Sequence, residues 1–382
     1  MERAELMTAL HATGCATERG GFVFMCDPSS EAARGDCHTL YDNAVSTGDL
    51  EDGADEGWLC IATGGSGGRV KWARHDERTL GAAVRGFCEF FGMARVNAVD
   101  VLPAFHVSGL MARVRCAATG GEHRAWDWKR LEAGDRPELP VRADGWVISL
   151  VPTQLQRLVA STEATAWLRR FRTIFVGGGP MWAGLAESAA AAELRLSPGY
   201  GMTETAAMVA ALKPEEFLAG GRNSGRTMPH ARLSVDAGGV IAIKGASVFR
   251  GYFPATSTAR VFATEDLGRI DGHGFLHVLG RRDAVIITGG KKVQPADVEA
   301  ALRATGEFVD VAVVGVADAE WGEAVVACYP AESKPNFEAV TDALEESLPA
   351  FQRPKRFVAI ADWPRTAQGK VNRVELIRRV RS

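Results

Sequence analysis

The chain has 382 residues, 46% of them hydrophobic, which is enough for a large buried core and predicts two or three domains. Lys and Arg total 44 against 47 Asp and Glu, so the net charge of -3 argues against a nucleic-acid partner. No apolar run approaches the roughly 18–20 residues of a membrane span, so we expect no membrane attachment. The seven cysteines include no Cys-x-x-Cys pair, so we expect neither a disulfide framework nor a zinc site, and a cytoplasmic protein.

A glycine-rich stretch at 63–71 follows the apolar segment 58–62. Its glycines leave backbone N–H groups free to approach an anion, and its Thr, Ser, Arg and Lys side chains favour phosphate. A Walker loop would end in Gly-Lys-[Ser/Thr], but this stretch ends in Val70-Lys71-Trp72. A phosphate-binding loop and a flexible surface loop both remain open.

Short apolar runs at 147–151 and 173–176 predict buried strands, and the alanine-rich segment 184–196 predicts a helix. Short strands that alternate with helices indicate an α/β domain with a largely parallel sheet. Gly177-Gly178-Gly179-Pro180 closes the second run. It forms a tight turn, a backbone ledge for a flat ring, or both, because no Cβ intervenes.

The stretch 197–205 reads Ser-Pro-Gly-Tyr-Gly-Met-Thr-Glu-Thr and predicts a glycine turn. Tyr200 is suited to pack on a base, Thr203 to hydrogen-bond a phosphate oxygen, and Glu204 to ligate Mg²⁺ as a hard oxygen donor. Taken alone, the string is equally a loop in which Thr205 precedes a helix.

Apolar runs at 240–243 and 274–278 predict strands of a smaller β-rich region over about 232–282. Acidic and basic side chains cluster at 264–271 and 280–283. An Asp that accepts two hydrogen bonds from a vicinal diol, with an Arg beside it, would hold a ribose. A surface salt-bridge cluster is the alternative.

After residue 282 the pattern predicts a separate α+β domain, so we divide the chain into domains 1–282 and 283–382. The turn 289–292, Gly-Gly-Lys-Lys, precedes a predicted helix at 295–305 and suits an anionic ligand. Near the end of the chain, Lys370 lies on a glycine turn. It either reaches a neighbouring site or belongs to a basic tail.

Together and in this order, these elements resemble the adenylate-forming superfamily of acyl-CoA synthetases, carrier-protein adenylation domains and luciferases, over residues 63–373. The stretch 200–204 matches the Tyr-Gly-x-Thr-Glu motif in full, and 364–373 matches Pro-Arg-Thr-x-x-Gly-Lys-x-x-Arg in full. Glu265 replaces the glycine of Thr-Gly-Asp-Leu. The glycine loop agrees with its motif at Thr63, Gly65, Ser66, Gly68 and Lys71 and departs from it at Gly64, Gly67, Val70 and Trp72.

The resemblance implies a large α/β N-terminal AMP-binding domain of parallel-type sheets with helices and a small β-rich region, followed by a small mobile α+β lid domain. It implies ATP, Mg²⁺ and coenzyme A as cofactors and a small carboxylic acid as substrate. The implied catalytic residues are Thr203, Glu204 as metal ligand, and Lys370, with Asp283 as hinge. The residues implied to bind nucleotide or coenzyme A are Thr63, Gly65, Ser66, Gly68, Lys71, Gly178, Gly179, Tyr200, Gly201, Asp266, Arg281, Gly289 and Gly290.

The segments 102–110 and 212–226 resemble those of o-succinylbenzoate–CoA ligases, enzymes of menaquinone and phylloquinone synthesis. The implied substrate pocket contains His106, Ser108, Gly177 and Thr205, although a packed core histidine is an equal interpretation of His106. The part before residue 63 is shorter than most family members carry and matches nothing we know.

Two alternatives remain open at the level of the sequence. The first is a ligase for another aryl or acyl acid, since the ATP motifs are shared. The second is a nucleotide-binding protein with weak catalysis, because the glycine loop is altered and Glu265 replaces a glycine. A carrier-protein adenylation domain is less expected, because no carrier domain follows Ser382. The sequence indicates no oligomeric state.

Overall fold

A computed structural model describes residues 2–50, 56–64, 70–140, 145–365 and 371–381. Four of the predicted site residues, Gly65, Ser66, Gly68 and Lys370, lie outside the described residues. The described strands form four sheets, three of them before residue 282 and one after it. The predicted fold class is confirmed: a large α/β N-terminal domain precedes a small C-terminal domain that mixes helices and strands.

The first sheet has the order β1-β2-β3-β4, with β2 and β3 parallel and the outer pairs antiparallel. Two helices, α1 and α2, accompany it, and α2 ends at Gly48, whose left-handed backbone closes the helix without a Cβ penalty. The elements are α1 (Arg3–His11), β1 (Ala16–Arg19), β2 (Phe22–Met25), α2 (Glu31–Thr47), β3 (Leu59–Gly64) and β4 (Val70–His75).

The second sheet is the largest, with the order β11-β10-β9-β8-β7-β5-β6, and every pair from β6 to β9 is parallel, as predicted. Its strands are β5 (Asn97–Asp100), β6 (His123–Ala125), β7 (Trp146–Leu150), β8 (Thr173–Val176), β9 (Leu196–Met202), β10 (Ala207–Ala211) and β11 (Arg226–Thr227). Its helices are α3 (Glu77–Phe91), α4 (Val107–Thr119), α5 (Trp128–Glu132), α6 (Pro152–Val159), α7 (Thr162–Leu168), α8 (Ala183–Ala191) and α9 (Pro214–Leu218).

Two local predictions in this sheet are wrong. The stretch 197–202, predicted as a glycine turn, forms most of strand β9, which pairs with β8 on one side and β10 on the other. No helix follows Thr205, because residues 207–211 form strand β10. Sheet neighbours on both sides satisfy the backbone groups there, so tertiary pairing overrides the weak strand propensity of Pro and Gly.

The third sheet is the predicted β-rich region, and all of its strand pairs are antiparallel. Its strands are β12 (Ala231–Val235), β13 (Val240–Gly245), β14 (Val261–Ile270) and β15 (Leu276–Arg281). In this sheet Asp266 of β14 lies directly opposite Arg281 of β15. The sheet therefore places the acidic and basic clusters of the sequence side by side.

The fourth sheet begins at residue 286 and has the order β17-β16-β19-β18, with β20 parallel to β19. Its elements are β16 (Ile286–Thr288), β17 (Lys291–Val293), α10 (Pro295–Ala304), β18 (Ala312–Asp318), β19 (Gly322–Pro330), α11 (Phe337–Ser347), β20 (Arg356–Ile360) and α12 (Arg373–Arg381). Among the described residues no sheet has strands on both sides of 282–285, and we retain the boundary between 282 and 283 as a proposal. Within the same ranges, no helix has both the length and the apolar character to cross a membrane.

Candidate active site

Glu204 lies in a single 3-10 turn, Thr203–Thr205, that joins β9 to β10. The residue is only 7% exposed, and its Oε1 accepts a 2.7 Å hydrogen bond from the hydroxyl of Tyr252. Directly after the turn, Ala206 and Ala207 have φ values of 54° and 75°, a left-handed conformation that alanine rarely adopts. The backbone around the carboxylate is therefore held in a strained shape, as is common at functional sites.

His75, the last residue of β4, contacts the backbone of this turn. Its Nε2 lies 2.7 Å from the carbonyl oxygen of Thr203, and its Nδ1 lies 3.1 Å from the hydroxyl of Thr79. A carbonyl only accepts hydrogen bonds, so Nε2 carries the proton and Nδ1 accepts. Burial lowers the pKa of His75 to about 4, which keeps the ring neutral at physiological pH.

Tyr200, Asp266 and Arg281 form a second polar group in the N-terminal domain. The Tyr200 hydroxyl donates to Asp266 Oδ2 at 2.7 Å, and Arg281 Nη1 lies 3.6 Å from Asp266 Oδ1. Burial and then the neighbouring carboxylate raise the pKa of Tyr200, so the phenol remains a donor. An aromatic side chain, a carboxylate and a guanidinium thus meet in the structure, and their role at a base and ribose site stays a prediction.

Arg281 also binds the predicted hinge. Its Nε and Nη2 donate to the two oxygens of Asp283 at 2.8 and 2.7 Å, and the hydrogen bond to that carboxylate raises the pKa of Arg281. On the next residue, Arg282 makes a similar two-point contact with Glu265, at 3.0 Å for each bond. The Glu265 side chain that departs from the family motif therefore has a specific partner.

The two described ends of the glycine-rich stretch lie on paired strands, since β3 and β4 are antiparallel and Thr63 lies opposite Lys71. We call this pair of strands the glycine hairpin. The Nζ of Lys71 lies 5.0 Å from the centroid of the Tyr252 ring. Tyr252 therefore contacts both Glu204 and the lysine of the glycine hairpin.

The backbone explains two of the predicted glycines, Gly178 and Gly201, in different ways. Gly178 has φ +80°, and with Gly177 and Gly179 it follows the carboxyl end of β8. At Gly201, a Cβ would lie 2.0 Å from the carbonyl oxygen of Ala207, so only glycine allows β9 and β10 to approach so closely. Packing of the two strands therefore explains Gly201 without a ligand.

The residues predicted for the acid pocket occupy neighbouring elements. His106 is the N-cap residue of α4 and Ser108 lies in its first turn, while Val107 between them belongs to the same core cluster as Ala206. The Thr205 side chain is fully buried, and its hydroxyl lies within hydrogen-bonding distance of the carbonyls of residues 202 and 207. Thr205 thus closes the turn locally.

Gly289 and Gly290 form the two-residue turn between β16 and β17 in the C-terminal domain. Both have positive φ, 54° and 75°, as a primed hairpin turn requires. The Gly289 N–H donates to the carbonyl of Trp321 at 2.8 Å, which ties the turn to the loop before β19.

Two ion pairs hold the segments that carry the motifs; the first is buried on both sides, and in the second only the carboxylate is buried. Asp76 and Arg250 are 1% and 3% exposed, and Arg250 Nε donates to Asp76 Oδ2 at 2.6 Å. In the C-terminal domain Glu299, 3% exposed, accepts from Arg373 Nη2 at 2.6 Å and from the N–H of Val313 at 2.7 Å. Arg373 is the last residue of the motif that contains Lys370.

The carboxylate oxygen of Glu204 and the ammonium of Lys71 suit the metal ion and the phosphates of a magnesium nucleotide. Glu204 is a carboxylate beside a lysine-bearing hairpin, and its second oxygen, Oε2, receives no hydrogen bond within the described residues. No group of three or more His, Cys, Asp and Glu side chains there could hold a metal alone. A cation would take its other ligands from water and phosphate oxygens, as Mg²⁺ usually does.

Sequence reasoning missed His75, Asp76, Arg250 and Tyr252. Their partners lie far away in the chain, for example 48 residues between Tyr252 and Glu204 and 174 between Arg250 and Asp76. The only local signal is their type: charged or aromatic side chains beside glycine and apolar runs, which is too common to identify a site.

Comparison with known proteins identifies two matching family models. Residues 27–253 match the AMP-binding enzyme family, and residues 297–370 match the AMP-binding enzyme C-terminal domain. The 2-succinylbenzoate–CoA ligases of Listeria innocua and Geobacillus kaustophilus are each 32% identical to the chain over 72% of its length. The chain spans 60% of the length of each of these relatives.

Solved structures of similar fold include o-succinylbenzoate CoA synthetase (MenE) from Bacillus subtilis in complex with the acyl-adenylate intermediate OSB-AMP. It has a TM-score of 0.74 and 26% identity, covering 84% of this chain and 69% of that chain. ATP-bound MatB from Rhodopseudomonas palustris has a TM-score of 0.70 and 26% identity, covering 87% and 70%. Since the first family model alone covers more than half of the sequence, the chain belongs to the family of AMP-binding enzymes.

Proposed function

We propose that the protein is an AMP-forming acid–CoA ligase, which joins a carboxylic acid to ATP as an acyl-adenylate and then transfers the acyl group to coenzyme A. The observation that carries the proposal is the pairing of two groups: Tyr200, Asp266 and Arg281 on one side, and the Thr203–Thr205 turn with its buried carboxylate on the other. The first group suits a nucleoside, and the second suits its phosphates and a metal ion.

In the proposed first step a carboxylate oxygen of the acid attacks the α-phosphorus of ATP, and the bond to pyrophosphate breaks. The protein contributes by positioning and by charge stabilisation rather than by a covalent bond. Asp266 and Arg281 would hold the ribose, Thr203 the α-phosphate, and Lys71 and Thr63 the outer phosphates. Mg²⁺ held by Glu204 would neutralise phosphate charge.

In the proposed second step the thiolate of coenzyme A attacks the acyl carbon, and AMP leaves. We propose that the C-terminal domain turns about Asp283 between the steps, so that Lys370 serves adenylation and the Gly289–Gly290 turn serves thioester formation. Arg281 binds Asp283 through both oxygens, which gives the nucleotide site a direct contact with the proposed hinge.

We further propose 2-succinylbenzoate as the acid and its CoA thioester as the product, for menaquinone or phylloquinone synthesis. The support is the identity of about 30% to 2-succinylbenzoate–CoA ligases, together with the 102–110 and 212–226 segments. ATP-bound MatB has a nearly equal TM-score, 0.70 against 0.74, so the fold does not select the acid. The choice of acid rests on the sequence of the pocket segments.

The test measures pyrophosphate release and thioester formation over a panel of aryl and acyl acids. We expect the highest kcat/KM for 2-succinylbenzoate; a response to another acid with none to this one would refute the choice of substrate. No pyrophosphate release with any acid, despite nucleotide binding, would favour a protein with weak catalysis.

Lys370→Ala should abolish adenylation while preserving thioester formation from supplied acyl-adenylate, and equal loss of both steps would contradict the domain rotation.

A further inference from the structure

Tyr252 lies between the two parts of the proposed phosphate site, although none of the motifs named above includes it. Its hydroxyl donates to Glu204 Oε1 at 2.7 Å, and its ring lies 5.0 Å from the ammonium of Lys71. Glu204 comes from the turn after β9, and Lys71 comes from the glycine hairpin. A single side chain therefore contacts one group suited to a metal ion and one suited to phosphate.

The backbone fixes Tyr252 at this position. Ala73 and Tyr252 form an isolated antiparallel bridge. On either side of it, the N–H of Phe253 donates to the carbonyl of Trp72 and the N–H of Arg74 donates to the carbonyl of Gly251, each at 2.9 Å. Residues 251–253 thus extend the pairing of β4. The tyrosine is tied to the strand that carries Lys71.

Contacts from the other side limit the movement of the ring. The rings of Phe249 and Tyr252 pack edge to face, with centroids 4.8 Å apart, and the N–H of Phe249 donates to the carbonyl of Glu204 at 2.9 Å. The same short segment therefore holds both the backbone and the carboxylate of Glu204.

We propose that Tyr252 is a positioning residue that orients the Glu204 carboxylate toward the divalent cation of the nucleotide and supports Lys71 beside its phosphates. The inference rests on the proposed function and deepens it. The phenol occupies Oε1, and because Oε2 has no hydrogen bond within the described residues, that oxygen remains available to the cation. Partners that orient a metal-bound carboxylate typically change metal affinity or activity about 10–100-fold when removed.

The two contacts can be separated by substitution. Tyr252→Phe removes the hydrogen bond to Glu204 but keeps the ring under Lys71, whereas Tyr252→Leu removes both. Tyr329→Phe is a matched control, because that tyrosine packs against Phe308 in the core of the C-terminal domain. Circular dichroism of all variants checks that the fold is kept.

The first measurement is Mn²⁺ binding in the presence of α,β-methylene-ATP, followed by the electron paramagnetic resonance signal of free Mn²⁺. We expect Tyr252→Phe to weaken Mn²⁺ binding about 10-fold and the control to leave it unchanged. Unchanged Mn²⁺ affinity in Tyr252→Phe, with normal binding by the wild type, would overturn the positioning role alone. Absence of Mn²⁺-nucleotide binding by the wild type would overturn the proposed function, and the inference with it.

The second measurement is binding of inorganic tripolyphosphate without a divalent cation, by isothermal titration calorimetry. Tyr252→Phe should bind it as the wild type does, because the ring under Lys71 remains. Tyr252→Leu should bind it about threefold more weakly, in line with a half-exposed cation–π contact. Equal binding by all three proteins would refute the support of Lys71.

Discussion

Protonation of His75 should destabilise the protein in mildly acidic solution. The folded protein holds its pKa at about 4 because of burial, whereas an unfolded chain titrates near 6.5. Between these values the unfolded state binds more protons, so stability falls as the pH falls from about 6.5 towards 4. One such histidine contributes a loss of about 2 kcal/mol between pH 7.5 and 5.0.

The test compares wild type with His75→Gln, since an amide can still donate to the Thr203 carbonyl and accept from Thr79. Urea unfolding of the N-terminal domain, followed by tryptophan fluorescence from pH 5.0 to 7.5, gives the free energy of unfolding at each pH. We expect the variant to lose about 2 kcal/mol less than the wild type over this range. Equal pH dependence of the two proteins would refute a buried neutral His75.

His230 provides a matched control, because burial lowers its pKa to about 4 as well, and its Nε2 lies 3.2 Å from the Met208 carbonyl. His230→Gln should reduce the pH dependence by a similar amount. Only His75→Gln acts on the turn that carries Glu204, so only it should also weaken nucleotide binding. Weaker binding in both variants would indicate a general loss of structure.

Three further predictions concern ion pairs. Asp76→Ala leaves Arg250 buried without its partner and should cost about 3–5 kcal/mol in urea unfolding; a cost below about 1 kcal/mol would contradict the buried pair. Glu299→Gln removes the charge that Arg373 contacts and should speed hydrogen exchange in β18 and α12 while leaving β5 to β9 unchanged; a change in β5 to β9 would argue against a local effect. Glu265→Gly restores the family's glycine and removes only an exposed pair, so the free energy of unfolding should change by less than about 1 kcal/mol.

The regular elements were predictable where one physical signal dominated. Residues 295–305 were expected to be helical, since Pro295 suits the first turn of a helix, and α10 lies there. The runs 147–151 and 173–176 became β7 and β8, because short apolar runs bounded by Pro or Gly are typical of buried parallel strands. These signals are local and need no knowledge of the partner.

Strand β9 was not predictable in the same way. Its residues include Pro198, Gly199 and Gly201, which favour a turn in isolation. The strand forms because β8 and β10 supply hydrogen bonds on both sides, and Gly201 is needed because β10 approaches too closely for a Cβ. The residues of the motif thus pointed to the correct family, whereas its conformation was predicted wrongly.

Two of the departures from the family motifs, Trp72 and Glu265, have physical explanations, which bears on the alternative of weak catalysis. Trp72, where the family has glycine, is 7% exposed, and its ring packs edge to face on Phe24 at 5.3 Å in the core of the first sheet. Glu265 is absent from the described non-glycine residues with positive φ, so its backbone does not require glycine, and its carboxylate pairs with Arg282. Trp72 therefore packs in the core of the first sheet, and Glu265 pairs with Arg282 just after β15. Neither substitution removes a group from the proposed nucleotide site.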